Sequence, residues 1–175
     1  MQETITREEP VYDGRVVHLV VLDVMLPDGG TAKRELVRHP GAVAVVPLIG
    51  DDVLMVRQFR VAAGRVMLEI PAGTLNPGED PRLCAERELQ EETGYRPGNL
   101  ESLGGIFVAP GYTTEFIHLF LATDLIESRL DMDDDEFIEL VRMPLANVLA
   151  MIERGEIEDG KSTSALLKVA RRLGR

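Results

Sequence analysis

The sequence predicts an α+β fold, in which a helix packs against a mixed β-sheet that follows an N-terminal antiparallel β-meander. The first forty residues are rich in Val, Ile and Thr and are divided by turn signals. Strand and helix patterns then follow one another in mixed order, and two amphipathic helical segments end the chain. At 175 residues the chain has the length of one domain.

The N-terminal meander consists of three predicted strands, at residues 3–9, 15–26 and 31–38. Asp13-Gly14 and the run at 27–30 (PDGG) separate them, because such pairs favour tight turns. The break at 39–41 (HPG) predicts a boundary between an N-terminal part, residues 1–40, and a main domain, residues 41–175. Because so small a meander has little core of its own, we expect it to pack on the main domain or on a second subunit.

The main domain combines predicted strands with three predicted helices. The strand patterns lie at residues 42–46, 53–59, 67–70, 100–108, 115–122 and 136–143, and the loop 71–73 follows the third of them. Amphipathic patterns predict the last two helices over 144–154 and 162–173.

The first helix lies in the most informative segment, which runs from Gly73 to Tyr95 (GTLNPGEDPRLCAERELQEETGY). Asp80 suits the N-cap, and Pro81 suits the first helical position. Gly94 suits the left-handed residue that ends a helix. The segment therefore predicts a helix with a defined start and a defined end.

Three carboxylates crowd one face of this helix, since Glu88, Glu91 and Glu92 stand at i, i+3 and i+4. Their repulsion costs a few tenths of a kcal/mol per pair and would be relieved by a hard divalent cation, which prefers oxygen ligands. Glu88 and Glu92 are then the principal metal ligands, and Glu91 is a third ligand or an orienting group. A solvated acidic helix face is the alternative for the triplet taken alone.

The complete spacing resembles the Nudix box, at the positions of Gly73, Glu79, Arg87, Glu88, Glu91, Glu92 and Gly94. Leu89 fills the first aliphatic place, and Tyr95 stands in the last one, a departure that we expect to affect packing rather than chemistry. The resemblance implies an α/β/α sandwich and a hydrolase for a nucleoside diphosphate linked to another group.

The resemblance also implies roles for individual residues. It supports Mg²⁺ or Mn²⁺ as the cofactor and adds the backbone carbonyl of Ala72 to the metal ligands. Bound metal ions neutralise pyrophosphate charge and activate water. Arg87 belongs to the expected catalytic set in a positioning role, paired with Glu79 between loop and helix.

A general base is expected in or just after the acidic run at 131–136 (DMDDDE). In Nudix enzymes that hydrolyse ADP-ribose, a glutamate on a loop in this part of the chain is the usual candidate. Glu136 is the predicted base here, and Glu139 is the reserve. For most of the aspartates in the run, a solvated turn is the expected state.

A second motif narrows the range of possible substrates. Pro110 lies sixteen residues beyond Gly94, within APGYTTE at 109–115, and this resembles the ADP-ribose pyrophosphatase subfamily. The segments at 39–46, 56–60 and 68–73 resemble it too. The resemblance implies cleavage of ADP-ribose to AMP and ribose 5-phosphate. The alternatives are hydrolysis of another nucleotide sugar, such as an ADP-sugar or GDP-sugar, and a non-catalytic nucleotide-binding module.

The subfamily resemblance further implies a homodimer that exchanges its N-terminal strands and binds the nucleotide between subunits. Arg57 and Arg60 are then candidates to bind the pyrophosphate or terminal ribose, because a planar bidentate donor suits phosphate oxygens. Glu69 and Glu115 are candidate ribose contacts. A pair of exposed strand arginines is the alternative for Arg57 and Arg60.

Composition limits the partners. A net charge of −11 argues against nucleic acid, which demands basic surface. No apolar run approaches the ~20 residues of a membrane span, and no leader is recognised, so we expect neither a membrane partner nor secretion. The single cysteine, Cys84, fits a reducing cytoplasm and is expected to be a packing residue. The three histidines are expected to be structural.

Overall fold

The structure is a computed structural model that describes residues 1–128, 130 and 137–175. The helices within these residues are α1 (Pro81–Thr93), α2 (Leu145–Glu153) and α3 (Gly160–Arg172). The strands are β1 (Thr4–Asp13), β2 (His18–Met25), β3 (Thr31–Arg38), β4 (Ala42–Ile49), β5 (Asp52–Arg60), β6 (Arg65–Glu69), β7 (Ala72–Thr74), β8 (Tyr95–Arg96), β9 (Asn99–Phe107), β10 (Phe116–Thr123), β11 (Ile126–Glu127) and β12 (Ile138–Pro144). No helix in the described ranges is long and apolar enough to cross a membrane.

These residues form two compact units, one of residues 1–41 with 107–116 and one of residues 42–106 with 117–175. In the first unit β1, β2 and β3 form an antiparallel sheet with β2 in the centre. Val20, Leu22 and Val24 on β2 are its buried apolar residues, whereas all of β1 is exposed. The predicted N-terminal meander is therefore confirmed, with a small core. The division at residue 40 stays a prediction of domain organisation.

The second unit is built on a mixed sheet with the order β12-β5-β4-β10-β9. The central strand β4 runs parallel to β10 and antiparallel to β5. The predicted mixed sheet is confirmed.

Side-chain alternation along β4 gives this sheet two buried faces. Val43 and Val45 pack with Cys84, Ala85 and Leu89 of α1. The neighbouring residues of β4, such as Ala44 and Val46, pack on the other face with α2 and α3. Helices therefore cover both faces, which is the α/β/α sandwich that the resemblance implied. Cys84 is fully buried, as expected of a packing residue.

Two short stretches differ from the sequence prediction. The expected loop at 71–73 contains β7, which pairs with β4 so that Gly73 lies opposite Val43. Strands β8 and β11 pair with each other and were not predicted, because two residues are too few to carry an alternating pattern. The bounds of α2 and α3 differ from the predicted ones by one or two residues.

Candidate active site

The helix that carries the acidic triplet begins and ends at the predicted residues. The Asp80 side chain accepts hydrogen bonds from the backbone N–H groups of Arg82, at 2.8 Å, and Leu83, at 3.4 Å. Pro81 is the first helical residue, and Gly94 has φ 76° and donates its N–H to the Gln90 carbonyl at 3.0 Å. These caps fix the register of the helix, and with it the direction in which each glutamate points.

Two of the three glutamates turn inward. Glu88 is 8% exposed and Glu92 is 7% exposed, and both lie against strand β7. The Ala72 N–H donates to Oε2 of Glu92 at 3.1 Å. A β-carbon added at Gly73 would lie 1.9 Å from Cδ of Glu88. Glycine is therefore required at position 73 so that the Glu88 carboxylate can lie against the backbone.

Arg87 holds the loop before the helix. Its Nε and Nη2 donate to Oε1 and Oε2 of Glu79 at 3.0 and 3.1 Å, which is the pairing that the sequence predicted. Its Nη1 donates to Glu88 at 2.7 Å and to Glu91 at 2.9 Å. The Arg87 hydrogen bonds lower the pKa of Glu79 to about 2, so this carboxylate is ionised throughout the neutral range. Burial of the pair is partial, and Arg87 connects the loop to two of the three glutamates of the acidic face, Glu88 and Glu91.

The side chains fit a hard divalent cation in their chemistry. Three carboxylates accept from the Arg87 guanidinium, and Glu92 adds a fourth beside Ala72, so negative charge is in excess. All the side-chain atoms available as metal ligands are oxygens. Because Gly73 has no side chain, the carboxylate of Glu88 has room beside the strand that carries Ala72. Among the described residues, no three His, Cys, Asp or Glu side chains converge as a finished metal cluster. In the present arrangement Nη1 of Arg87 takes up one oxygen each of Glu88 and Glu91.

Glu69 is at the centre of a second polar group. It is 2% exposed, and its two oxygens accept from Nε and Nη2 of Arg60, each at 2.8 Å. Lys161 donates a further hydrogen bond to Oε2 at 2.5 Å. Burial by itself would raise the pKa of Glu69, but Arg60 and Lys161 together lower it to about 2. The carboxylate is thus buried, ionised and fully engaged.

Arg57 and Arg60 lie on opposite faces of β5, because they are three residues apart on a regular strand. Arg57 lies on the same face of β5 as Met55, which packs in the core with α2 and α3. Its Nη1 donates to Glu139 of β12 at 3.2 Å, on an exposed surface. Arg60 is on the side of α1, where the negative charge of Glu92 adds to the larger effect of Glu69 in raising its pKa. The strand therefore brings only one of the two predicted arginines to the box helix.

The remaining predicted residues belong to the first unit or are not described. Glu115 belongs to the N-terminal unit, where its Oε1 lies 4.0 Å from Nε2 of His39. His39 accepts from the Gly41 N–H through Nδ1 and binds Thr114 through its backbone, which is a structural role. Glu136, the predicted base, lies outside the described residues.

Sequence reasoning missed Lys161. A lysine at the start of a helix carries no motif, and the helix itself was predicted to begin one residue later. The available signal was Asp159, three residues before Ser162, which is an N-cap spacing. The structure confirms that cap, because Asp159 accepts from the Ser162 N–H at 2.9 Å and so starts α3 before Lys161.

Comparison with known proteins identifies the family. The family model described as the NUDIX domain matches residues 38–166. The chain belongs to the Nudix family. It is 40% identical over 169 residues to the "ADP-ribose pyrophosphatase" of Bacillus subtilis (strain 168), which covers 95% of this chain and 91% of that protein.

Two further similarities extend over almost the whole chain. The "Methanol dehydrogenase activator" of Bacillus methanolicus is 44% identical over 168 residues, or 94% of this Nudix chain and 91% of that protein. A solved structure described as an ADP compounds hydrolase superimposes with a TM-score of 0.90 at 28% identity, covering 99% of this chain and 95% of that one. The resemblance to the Nudix box is therefore confirmed at the level of family and fold.

Proposed function

We propose that this protein is a metal-dependent hydrolase that cleaves the pyrophosphate of ADP-ribose with water to give AMP and ribose 5-phosphate. The observation that carries the proposal is the inward position of Glu88 and Glu92 against β7, where only glycine fits at residue 73. A helix that merely solvates its acidic face would leave these carboxylates exposed. The name of the Bacillus subtilis relative supports ADP-ribose as the substrate.

Glu88, Glu91, Glu92 and the Ala72 carbonyl would hold the divalent cation, Mg²⁺ or Mn²⁺. When bound, the cation supplies charge neutralisation for the pyrophosphate and lowers the pKa of water. Arg87 and Glu79 keep loop and helix in register, so that the ligands stay in place. Glu136 is the proposed general base, with Glu139 as the reserve; Glu139 is engaged by Arg57 on the exposed sheet surface.

Roles in substrate binding are proposed for four residues. Arg60 feels the charge of Glu92, which contributes to raising its pKa after the larger effect of Glu69, and it has a guanidinium suited to phosphate oxygens. Glu69 is fully engaged by Arg60 and Lys161, so it would act through Arg60 rather than touch the ribose. From the resemblance alone, Arg57 remains a proposed contact to the pyrophosphate or the terminal ribose, and Glu115 remains a proposed contact to a ribose.

The proposal includes the binding partners of the protein and its location in the cell. The substrate is a small nucleotide sugar, and the excess of acidic residues argues against nucleic acid. We propose a cytoplasmic homodimer that shares its N-terminal strands. Sedimentation velocity should give a dimer of about twice 19.4 kDa. A fully active monomer would contradict the shared arrangement.

A substrate panel tests the activity. Purified protein is incubated with ADP-ribose, an ADP-sugar and a GDP-sugar in Mg²⁺ or Mn²⁺, and the products are identified by chromatography. We expect ADP-ribose to have the highest kcat/KM and to yield AMP and ribose 5-phosphate, with no product in EDTA. Discrimination lies in the base and sugar pockets, so a GDP-sugar that ranks first would move the assignment to the second candidate. Binding of ADP-ribose without any AMP release would favour the non-catalytic module.

A further inference from the structure

Lys161 is the only described cation besides Arg60 that binds the buried carboxylate of Glu69. It is 13% exposed, and it lies in the first turn of α3, far along the chain from the Nudix box. Its Nζ also lies 3.0 Å from Oδ2 of Asp159, the residue that caps this helix. The start of α3 therefore delivers one ammonium group to the carboxylate that holds Arg60.

The backbone ties this turn to the metal-site strand. Ser162 donates through its hydroxyl to Asp159, and it accepts at that hydroxyl the N–H of Ile70 at 2.9 Å. Ile70 is fully buried and directly precedes Pro71 and β7. The first turn of α3, Glu69 and the strand carrying Ala72 are thus held as one piece.

Arg60 has donor capacity left over. Glu69 takes up its Nε and Nη2, whereas Nη1 has no hydrogen-bond partner within the described residues. The Arg60 side chain is 40% exposed, so Nη1 can meet a solute. With both of its other nitrogens fixed to a buried carboxylate, the guanidinium keeps one orientation, which reduces the entropy lost on binding an anion.

We propose that Lys161 is a positioning residue for the pyrophosphate of the substrate. Its charge offsets that of Glu69, which would otherwise neutralise Arg60, so that the guanidinium presents a fixed Nη1 to the phosphate oxygens. Without Lys161, the net charge around Arg60 becomes one unit more negative. Glu69 then competes more strongly with the substrate phosphate for the Arg60 guanidinium. This role of Lys161 rests on the proposed function, because it assumes that Arg60 binds the pyrophosphate of ADP-ribose.

The test compares Lys161→Met, Lys161→Arg and Arg60→Met with the double variant Arg60→Met/Lys161→Met. We expect Lys161→Met to raise KM for ADP-ribose about tenfold with kcat changed less than threefold, the pattern of lost uniform binding. Lys161→Arg keeps the charge and should restore KM to within about threefold of the parent. The double variant should have the KM of Arg60→Met alone, because Lys161 acts through Arg60.

A control and a binding measurement make the outcomes separable. Lys168→Met lies on the same helix and loses only a hydrogen bond to the Leu103 carbonyl, so KM should not change. The Kd for ADP-ribose in EDTA, measured by calorimetry, should follow KM in every variant. If Lys161→Met alone fails to fold, the double variant Glu69→Gln/Lys161→Met is compared with Glu69→Gln. The Glu69→Gln substitution removes the negative charge that Lys161 balances, so the double variant does not bury an unbalanced carboxylate.

An unchanged KM and Kd in Lys161→Met, or effects of Arg60→Met and Lys161→Met that multiply, would overturn the proposal. A parent protein that binds ADP-ribose but releases no AMP would instead reject the proposed function, and the Kd series would still test the role of Lys161. Lower thermal stability with KM and Kd intact would assign Lys161 a purely structural role and would also overturn the proposal.

Discussion

The carboxyl group of Glu88 occupies the space beside Gly73 that a side chain would fill, since a β-carbon on residue 73 would lie 1.9 Å from Cδ of Glu88. Glu88 lies on α1 and Gly73 on β7, which pairs with the central strand of the sheet. The glycine of the box is therefore explained by contact between two elements rather than by backbone conformation. This contact places a carboxylate of the helix directly beside the strand that carries Ala72.

We expect Gly73→Ala to separate stability from activity. The obstructed group is the end of a flexible side chain, so Glu88 can swing away and the free energy of unfolding should change by about 1 kcal/mol or less. The displaced carboxylate should lower kcat by about a hundredfold or more, since loss of 1 Å in positioning has that cost. Gly160→Ala, where the space is open, is the control. Full activity of Gly73→Ala would contradict the assigned position of Glu88.

Glu92→Gln should lower kcat about a thousandfold, because it removes a charged ligand at a transition state stabilised by charge. The inward position of Glu92 is kept by its hydrogen bond from Ala72, which an amide oxygen can also accept, so folding should be retained. Calorimetric titration with Mn²⁺ should show weaker binding. Glu86→Gln, at a half-buried position on the same helix, 3.6 Å from Arg82, should leave both quantities unchanged. Equal effects of the two substitutions would argue against a metal ligand at 92.

The pair formed by Arg87 and Glu79 should contribute measurably to stability. A double-mutant cycle of Arg87→Lys and Glu79→Gln should give a coupling free energy of about 1–3 kcal/mol, because lysine cannot reproduce the two-point contact. Urea denaturation measures it. The i,i+4 pair Arg82 and Glu86, in which Arg82 is exposed, should give about 0.3–0.5 kcal/mol in the same experiment. Comparable coupling in the two pairs would show that the first has no special role.

Glu69 should make the fold sensitive to acid. Its pKa in the folded protein is about 2, below the ordinary value of 4.5. A lowered pKa stabilises the folded state above pH 4.5, and that stabilisation is lost as pH falls from about 4.5 to about 2. The loss should be about 3 kcal/mol. The free energy of unfolding should fall less steeply in this window in Glu69→Gln, whereas Glu101→Gln, in an exposed ion pair, should follow the parent.

Glu136 and Glu139 can be separated by paired amide substitutions. Glu136→Gln should lower kcat by about a hundredfold or more and abolish the acidic limb of its pH profile, as loss of a general base does. Glu139→Gln removes only the partner of Arg57 on the exposed sheet and should change kcat less than threefold. The reverse result would transfer the role of base to Glu139.

Much of the helix chemistry was readable in the sequence because it is local. Asp80, Pro81 and Gly94 act within a turn of the helix end, and their effect on α1 does not depend on the rest of the fold. The pairing of Arg87 with Glu79 was predictable for the same reason, since a short loop joins them. Strand β7 was not, because three residues form a strand only when β4 offers them a partner.

The sequence by itself determined the family, the reaction class and the carboxylates of the box, because those depend on spacing along one short segment, the helix α1 and the loop before it. Tertiary structure decided which side chains meet. It turned Arg60 towards the box helix and Arg57 away from it, since alternation along β5 sends residues three apart to opposite faces. It also brought Lys161 to Glu69 across more than ninety residues of chain, a contact that pairing and packing create and that no local pattern encodes.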